Sequence, residues 1–304
     1  MIIPPYLSPG DTIALAAPAR KISEAEIQPA EQWLKSVGFN VFYDDRLFAD
    51  DHQFAGNDTQ RAAYMQDLLD DDTVKAVWCV RGGYGSARII DQLDFTHFRQ
   101  RPKWICGYSD ITVFHNHIQQ HLQTATLHAI MPINVTGTNT QSPACQSFLD
   151  ALTSKGLSYE IAPHPLSRFR SFSGILTGGN LSMLYSLIGS PSDIDTADKV
   201  LFIEDLDEYL YHIDRMMLNL KRSGKLSHIK ALLVGHLSDM HDNTVPFGKT
   251  AEEIVADHCQ KFDFPLVFNV PAGHLPDNRA FRMGCQIEGL FNDNKFIINS
   301  LSHD

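Results

Sequence analysis

The feature that most constrains this chain is a rhythm in its first half, where short, continuously apolar runs alternate with amphipathic stretches of helical spacing. TIALAAPA is followed by EAEIQPAEQWLKSVGF, in which Ile27, Ala30, Trp33, Leu34 and Val37 fall on one helical face, and then by the strand-like NVFY. NDTQRAAYMQDLLDD predicts a helix capped by Asn57 or Asp58, KAVWCV a strand and GSARIIDQL a helix. KWICG, DITVFHNHIQQHL and TATLHAI add a strand, a helix and a strand. Strands apolar along their whole length are covered on both faces, so this half predicts a parallel sheet flanked by helices.

The rhythm breaks around residues 136–175, where GTNTQSP, SKG and PHPLSRFRSFSG read as loop. We therefore expect an N-terminal α/β domain over 1–150, a connector over 151–172 and a smaller C-terminal mixed α/β domain over 173–304. In the last, GNLSMLYSLIG and EYLYHIDRMMLNLKRSG predict helices, KVLFIED and ALLVGHL strands, TAEEIVADHCQKF a helix and PLVFNV a strand. The tail predicts a hairpin turning at Asn292-Asp293-Asn294. No internal repeat or low-complexity segment interrupts this plan.

Composition excludes several functions. With 43% hydrophobic and 20% charged residues the chain is of ordinary globular make-up, and no apolar run approaches the roughly 20 residues of a membrane span. The formal charge of −11 is spread without any Lys/Arg block, so nucleic acid is not an expected partner. The N-terminus lacks the basic region of a secretory signal, and the five cysteines form no CxxC; a cytoplasmic protein with reduced, packed thiols is expected.

Several residues stand where chemistry could be done. Ser109, in GYSDIT, follows the strand KWICG and opens a helix: a serine there is a preferred helix cap, or the nucleophile of a strand-to-helix elbow, with G-x-S met but Ile111 in place of the last glycine. VRGGYG places Gly82, Gly83 and Gly85 after another strand, as a plain turn or as backbone N–H groups turned toward an anion. It matches neither GxGxxG nor a Walker sequence, which disfavours a nucleotide phosphate. Glu204 ends the apolar VLFIE and could orient a histidine, whereas Asp205, Asp207 and Glu208 read as solvated surface charge. His274 closes PLVFNVPAGH at a glycine turn, as a loop histidine or a base. His117 and His121 lie one helical turn apart, but without a third ligand they read as a helix face; His115 and His128 carry no spacing signal, and no metal is expected.

Taken in order, TIALAAPA, VRGGYG, GYSDIT, LTGGNLSML, FIEDLDEYLYHIDRMM and VPAGH resemble the cytoplasmic L,D-carboxypeptidases of murein recycling and the related microcin C self-immunity peptidases. The resemblance runs across nearly the whole chain. It implies a flavodoxin-like N-terminal domain carrying a nucleophile, a C-terminal domain supplying Glu and His, and a serine peptidase triad of Ser109, His274 and Glu204. It implies an oxyanion site made by the backbone of Asp110, rather than its carboxylate, with Gly82 or Gly83, and substrate contacts from Tyr108 and Asn180. It further implies release of the terminal D-Ala from a murein tetrapeptide without any cofactor, by a protein that forms homodimers as relatives often do. One departure is LPDNRAFRMG, where many relatives carry a proline before the glycine, which bears on the local hairpin. Two other functions fit the same cleft: cleavage of a peptidyl or aminoacyl nucleotide, disfavoured because Trp33, Trp78 and Trp104 all lie in the first half, and non-catalytic binding of a small molecule.

Overall fold

The apolar runs become strands. The structure is a computed structural model that describes residues 1–292 and 295–300. The first half runs β1 (Thr12–Ala16), α1 (Glu24–Ser36), β2 (Asn40–Phe42), α2 (Asp58–Asp70), β3 (Val74–Cys79), α3 (Ser86–Ile89), α4 (Thr96–Gln100), β4 (Trp104–Gly107), α5 (Thr112–Leu122), β5 (Thr126–His128) and α6 (Pro143–Leu152). Its strands pair in parallel in the order β2-β1-β3-β4-β5, that of a flavodoxin-like doubly wound sheet. In such sheets ligands collect beyond the carboxyl ends of the strands. Local chemistry sets the helix starts: the Asn57 side chain accepts from Gln60 N–H (2.9 Å) while Gln60 reaches back, a capping box worth about 1 kcal/mol.

The second half runs β6 (Leu157–Ile161), β7 (Phe172–Asn180), α7 (Leu181–Leu187), β8 (Val200–Leu206), α8 (Leu210–Arg222), β9 (Ala231–Ser238), α9 (Ala251–Cys259), β10 (Leu266–Val267), β11 (Phe281–Met283), β12 (Gln286–Asn292) and β13 (Lys295–Ser300). β7 to β10 are parallel neighbours, and β12, β13 and β6 extend the sheet antiparallel from β7. The stretch 151–172 thus holds a strand, β6, besides loop. The expected hairpin is formed by β12 and β13, while Asp293 and Asn294 at its turn lie outside the described residues.

β11 does not join this second sheet. It crosses to the first and pairs antiparallel with β5 (Arg282 opposite Leu127, and Met283, the residue before the glycine, opposite Thr126), so the departure from proline leaves the local strand intact. Arg282 is fully buried, donating to the carbonyls of Ala151 (2.8 Å), Lys155 (2.8 Å) and Asp150 (3.2 Å) at the end of α6. A cation at a helix C-terminus meets unpaired carbonyls and the negative end of the helix dipole.

Side chains alternate across a strand, and the two faces of the second sheet are covered differently. Leu201, Ile203, Leu232 and Val234 face α7, α8 and α9, whereas Val200, Phe202, Ala231 and Leu233 belong to the same apolar cluster as the core of the first domain. That larger core is organised by Trp78 stacked on Phe148 (4.5 Å), with Trp33 against both. Trp33, Trp78 and Trp104 are thereby all spent in the interior.

Candidate active site

β4 ends in a turn whose backbone is forced. Gly107 takes φ +153°, and a Cβ there would lie 2.9 Å from Ile111 Cγ1, so only glycine fits between strand and turn. Ser109 follows at φ +63°, a left-handed conformation that costs a serine about 1–3 kcal/mol and persists only where its surroundings impose it. It opens a 3-10 turn, Ser109–Ile111, that leads into α5. The cap position of that turn is Tyr108; the Ser109 hydroxyl makes no hydrogen bond among the described residues, and the residue lies half-buried at the wall of a cavity. The strand, the sharp turn and the helix around it have the shape of an elbow.

The glycine loop after β3 lies against this serine. A Cβ on Gly82 would fall 3.0 Å from Ser109 Cβ, 3.1 Å from its Oγ and 3.4 Å from Asp110 N. The Asp110 carboxylate, 1% exposed, ties the two loops: its Oδ2 accepts from Ser86 N–H (2.8 Å) at the start of α3, and Oδ1 has no partner. Burial raises its pKa against hydrogen bonds from Ser86 and Gly85 and the charge of Arg61. The carboxylate of Asp110 therefore has a structural part that the sequence did not disclose.

Glu204 and His274 meet across 70 residues. Glu204 sits in β8 with no exposure, and its Oε2 is 2.7 Å from His274 Nδ1. Burial lowers the imidazole's pKa, but the charge and hydrogen bond of Glu204, with the charge of Asp205, outweigh it and hold His274 above its ordinary value. Tyr108 packs its ring on His274 (4.7 Å between centroids). The turn carrying the histidine is fixed by Asn278, buried, whose Oδ1 accepts from Gly273 N–H (3.0 Å). Glu204 Oε1 and Asn278 Nδ2 are left unpaired, as are both ring nitrogens of buried His128, which burial keeps neutral.

Ser109, Asp110, Tyr108, Gly82, Gly83, Asn180 and His274 line one cavity of ≈ 450 Å³ between the two sheets, and Asp205 lines it as well. Glu204 stands behind His274 rather than in the wall. Asp205 is a correction to the sequence reading: it is 1% exposed, because β8 continues through Leu206, and it accepts from Asn180 Nδ2 (2.9 Å), Ser182 N–H (2.9 Å) and Leu206 N–H (2.9 Å). Burial and the neighbouring charge of Glu204 push its pKa up to about 7 against those hydrogen bonds. Asp207 is exposed and pairs with His241 (2.5 Å), while Glu208 is only partly exposed and pairs with His212 (2.5 Å). The other residues missed are Arg20 and Arg81, also in the cavity wall. Their position just beyond the carboxyl ends of β1 and β3 was a usable signal. His117 and His121 engage Ser192 (2.9 Å) and the Pro191 carbonyl (2.6 Å), and no group of three metal-ligating side chains occurs among the described residues.

Against known proteins, residues 13–129 match the family model described as the LD-carboxypeptidase N-terminal domain, and residues 173–288 that of the LD-carboxypeptidase C-terminal domain. A probable murein peptide carboxypeptidase of Bacillus subtilis (strain 168) is 34% identical over 290 residues, covering 93% of this chain and 90% of the relative. The crystal structure of a muramoyltetrapeptide carboxypeptidase from Oxalobacter formigenes superposes with a TM-score of 0.86 at 28% identity, covering 95% of this chain and 98% of that one. The microcin C7 self immunity protein, solved with aspartyl sulfamoyl adenosine, has the same fold, with a TM-score of 0.86 at 20% identity over 97% of each chain.

Proposed function

The chain belongs to the LD-carboxypeptidase family, and from that premise we propose that this peptidase is a serine L,D-carboxypeptidase that releases the terminal D-Ala of murein tetrapeptides. The observation that carries the reading is the conjunction of a strained, uncapped Ser109 with a Glu204-paired His274 on the wall of one cavity.

In this proposal Ser109 Oγ attacks the carbonyl of the third residue, and His274 takes the hydroxyl proton on Nε2. Glu204 accepts from Nδ1–H, fixing the tautomer and stabilising the imidazolium that forms. The backbone N–H groups of Asp110 and of Gly82 or Gly83 receive the developing oxyanion, each worth about 3 kcal/mol of barrier. The tetrahedral intermediate collapses as His274 protonates the leaving amine of D-Ala. Water, deprotonated by the same imidazole, then releases the tripeptide from the serine. Tyr108 holds the imidazole face, and Asn180 keeps Asp205 in place through its side-chain amide.

The proposal includes a cytoplasmic location and a homodimer. All five cysteines are buried and unpaired, which suits a reducing compartment, and no helix among the described residues is long and apolar enough to cross a membrane. Purified protein should liberate D-Ala from L-Ala-γ-D-Glu-diaminopimelate-D-Ala or its lysine counterpart, followed by mass spectrometry of the tripeptide. Binding of the peptide without any tripeptide appearing would instead favour a non-catalytic binding protein.

A further inference from the structure

Resting on the carboxypeptidase reading, we propose that Arg20 is the specificity residue that reads the free carboxylate of the departing amino acid. A carboxypeptidase must sense a terminus only three bonds past the carbonyl under attack, a reach of roughly 4 Å from the N–Cα and Cα–C bond lengths. Its anchor therefore has to sit beside the nucleophile.

Arg20 lies against the same glycine loop that touches Ser109. A Cβ on Gly83 would fall 2.5 Å from Arg20 Cδ and 2.6 Å from Nε, so the absence of a side chain at Gly83 is what admits the arginine stem. The adjoining Gly82 touches Ser109 in the same way, and both Arg20 and Ser109 line the cavity. A second cation, Arg81, flanks the loop but is already engaged, donating to the Lys21 carbonyl (3.2 Å) with Glu26 at 3.7 Å. Arg20 makes no salt bridge and no side-chain hydrogen bond among the described residues, so its guanidinium fork is free for a carboxylate, which it can bind through two parallel N–H donors.

The rest of the wall sets the direction. Asp205, Asp207 and Glu208 of the second domain also line the cavity and are acceptors rather than cations, so a substrate entering the other way round would find no guanidinium for its terminal carboxylate there. The arginines of the cavity wall, Arg20 and Arg81, thus both come from the first domain, and this orients the terminus toward Arg20.

The test compares L-Ala-γ-D-Glu-diaminopimelate-D-Ala with the same peptide ending in D-alaninamide, using full-length wild type, Arg20→Ala and Arg20→Lys, with thermal melting as the check on folding. The expected result is a wild-type preference in kcat/KM for the free acid that narrows by about 10- to 150-fold in Arg20→Ala, the range for hydrogen bonds to a charged group. Arg20→Lys should retain part of it, since the charge stays but the fork is lost. An acid-to-amide ratio unchanged in Arg20→Ala, or near one in wild type, overturns the assignment while leaving the peptidase intact. Failure of wild type to cleave either peptide overturns the carboxypeptidase reading itself, and Arg20 with it.

Discussion

His274 works in a field set by two buried carboxylates, and that field has a sign that kinetics can read. As a base the imidazole must be neutral, so kcat/KM should fall as pH drops through its raised pKa. Glu204→Gln removes the charge that raises it. The acidic limb of the pH–rate profile should therefore move to lower pH, while kcat falls on the order of 10⁴-fold as the tautomer is lost. An acidic limb that stays in place in Glu204→Gln would detach the pair from catalysis. Gly82→Ala is a second residue-scale test: its methyl would sit 3.0–3.1 Å from Ser109, crowding the proposed oxyanion site. Turnover should drop by about 10²-fold or more with little change in melting temperature, because the φ of Gly82 is not in the left-handed region. That Ser109, Glu204 and His274 come together was legible because each ends an apolar run, where a parallel sheet delivers its side chains to one edge. Asp205 was not, because an acidic run gives no sign of where its strand stops, and β8 continues two residues past Glu204 and buries it.

At the scale of elements, the junction of β7 with α5 couples the two sheets close to Ser109. Gly178 and Gly179, both at positive φ, let the end of β7 approach Phe202 and Thr112 closely, and Asn180 N–H then donates to Thr112 Oγ1 (3.0 Å). The glycine pair of LTGGN is thus a close-packing device. Gly179→Ala would place a methyl 2.5 Å from Thr112 Oγ1 at an unfavourable φ, and urea denaturation should show a loss of about 1–3 kcal/mol. Activity should fall with it, since Thr112 begins the helix that follows Ser109. A stability equal to wild type would mean that the junction yields without cost. The parallel βα units were readable because both strand faces are apolar. β11 was not, because a three-residue strand whose centre is an arginine carries no such pattern, and only the carbonyls at the end of α6 explain why that arginine is inside.

The whole molecule has two sheets but shares its largest core between them. Apolar strands look alike whether a helix or another domain covers them, so the division expected from composition could not reveal that one face of the second sheet packs on the first domain. With β11 also crossing between sheets, we expect a single calorimetric transition whose calorimetric and van't Hoff enthalpies agree. Two resolved transitions would show that the halves unfold independently. Arg282→Met, which strips three carbonyls of their donor, should lower stability by about 3 kcal/mol or more without altering the pH–rate profile. The central claim, that this two-domain cleft exists to activate Ser109, is tested most directly by mapping the site of a serine-directed phosphonate and measuring D-Ala release by Ser109→Ala. We predict modification at Ser109 alone, and a folded Ser109→Ala variant whose turnover is reduced by at least about 10³-fold; labelling of another residue, or wild-type turnover in the variant, would contradict it.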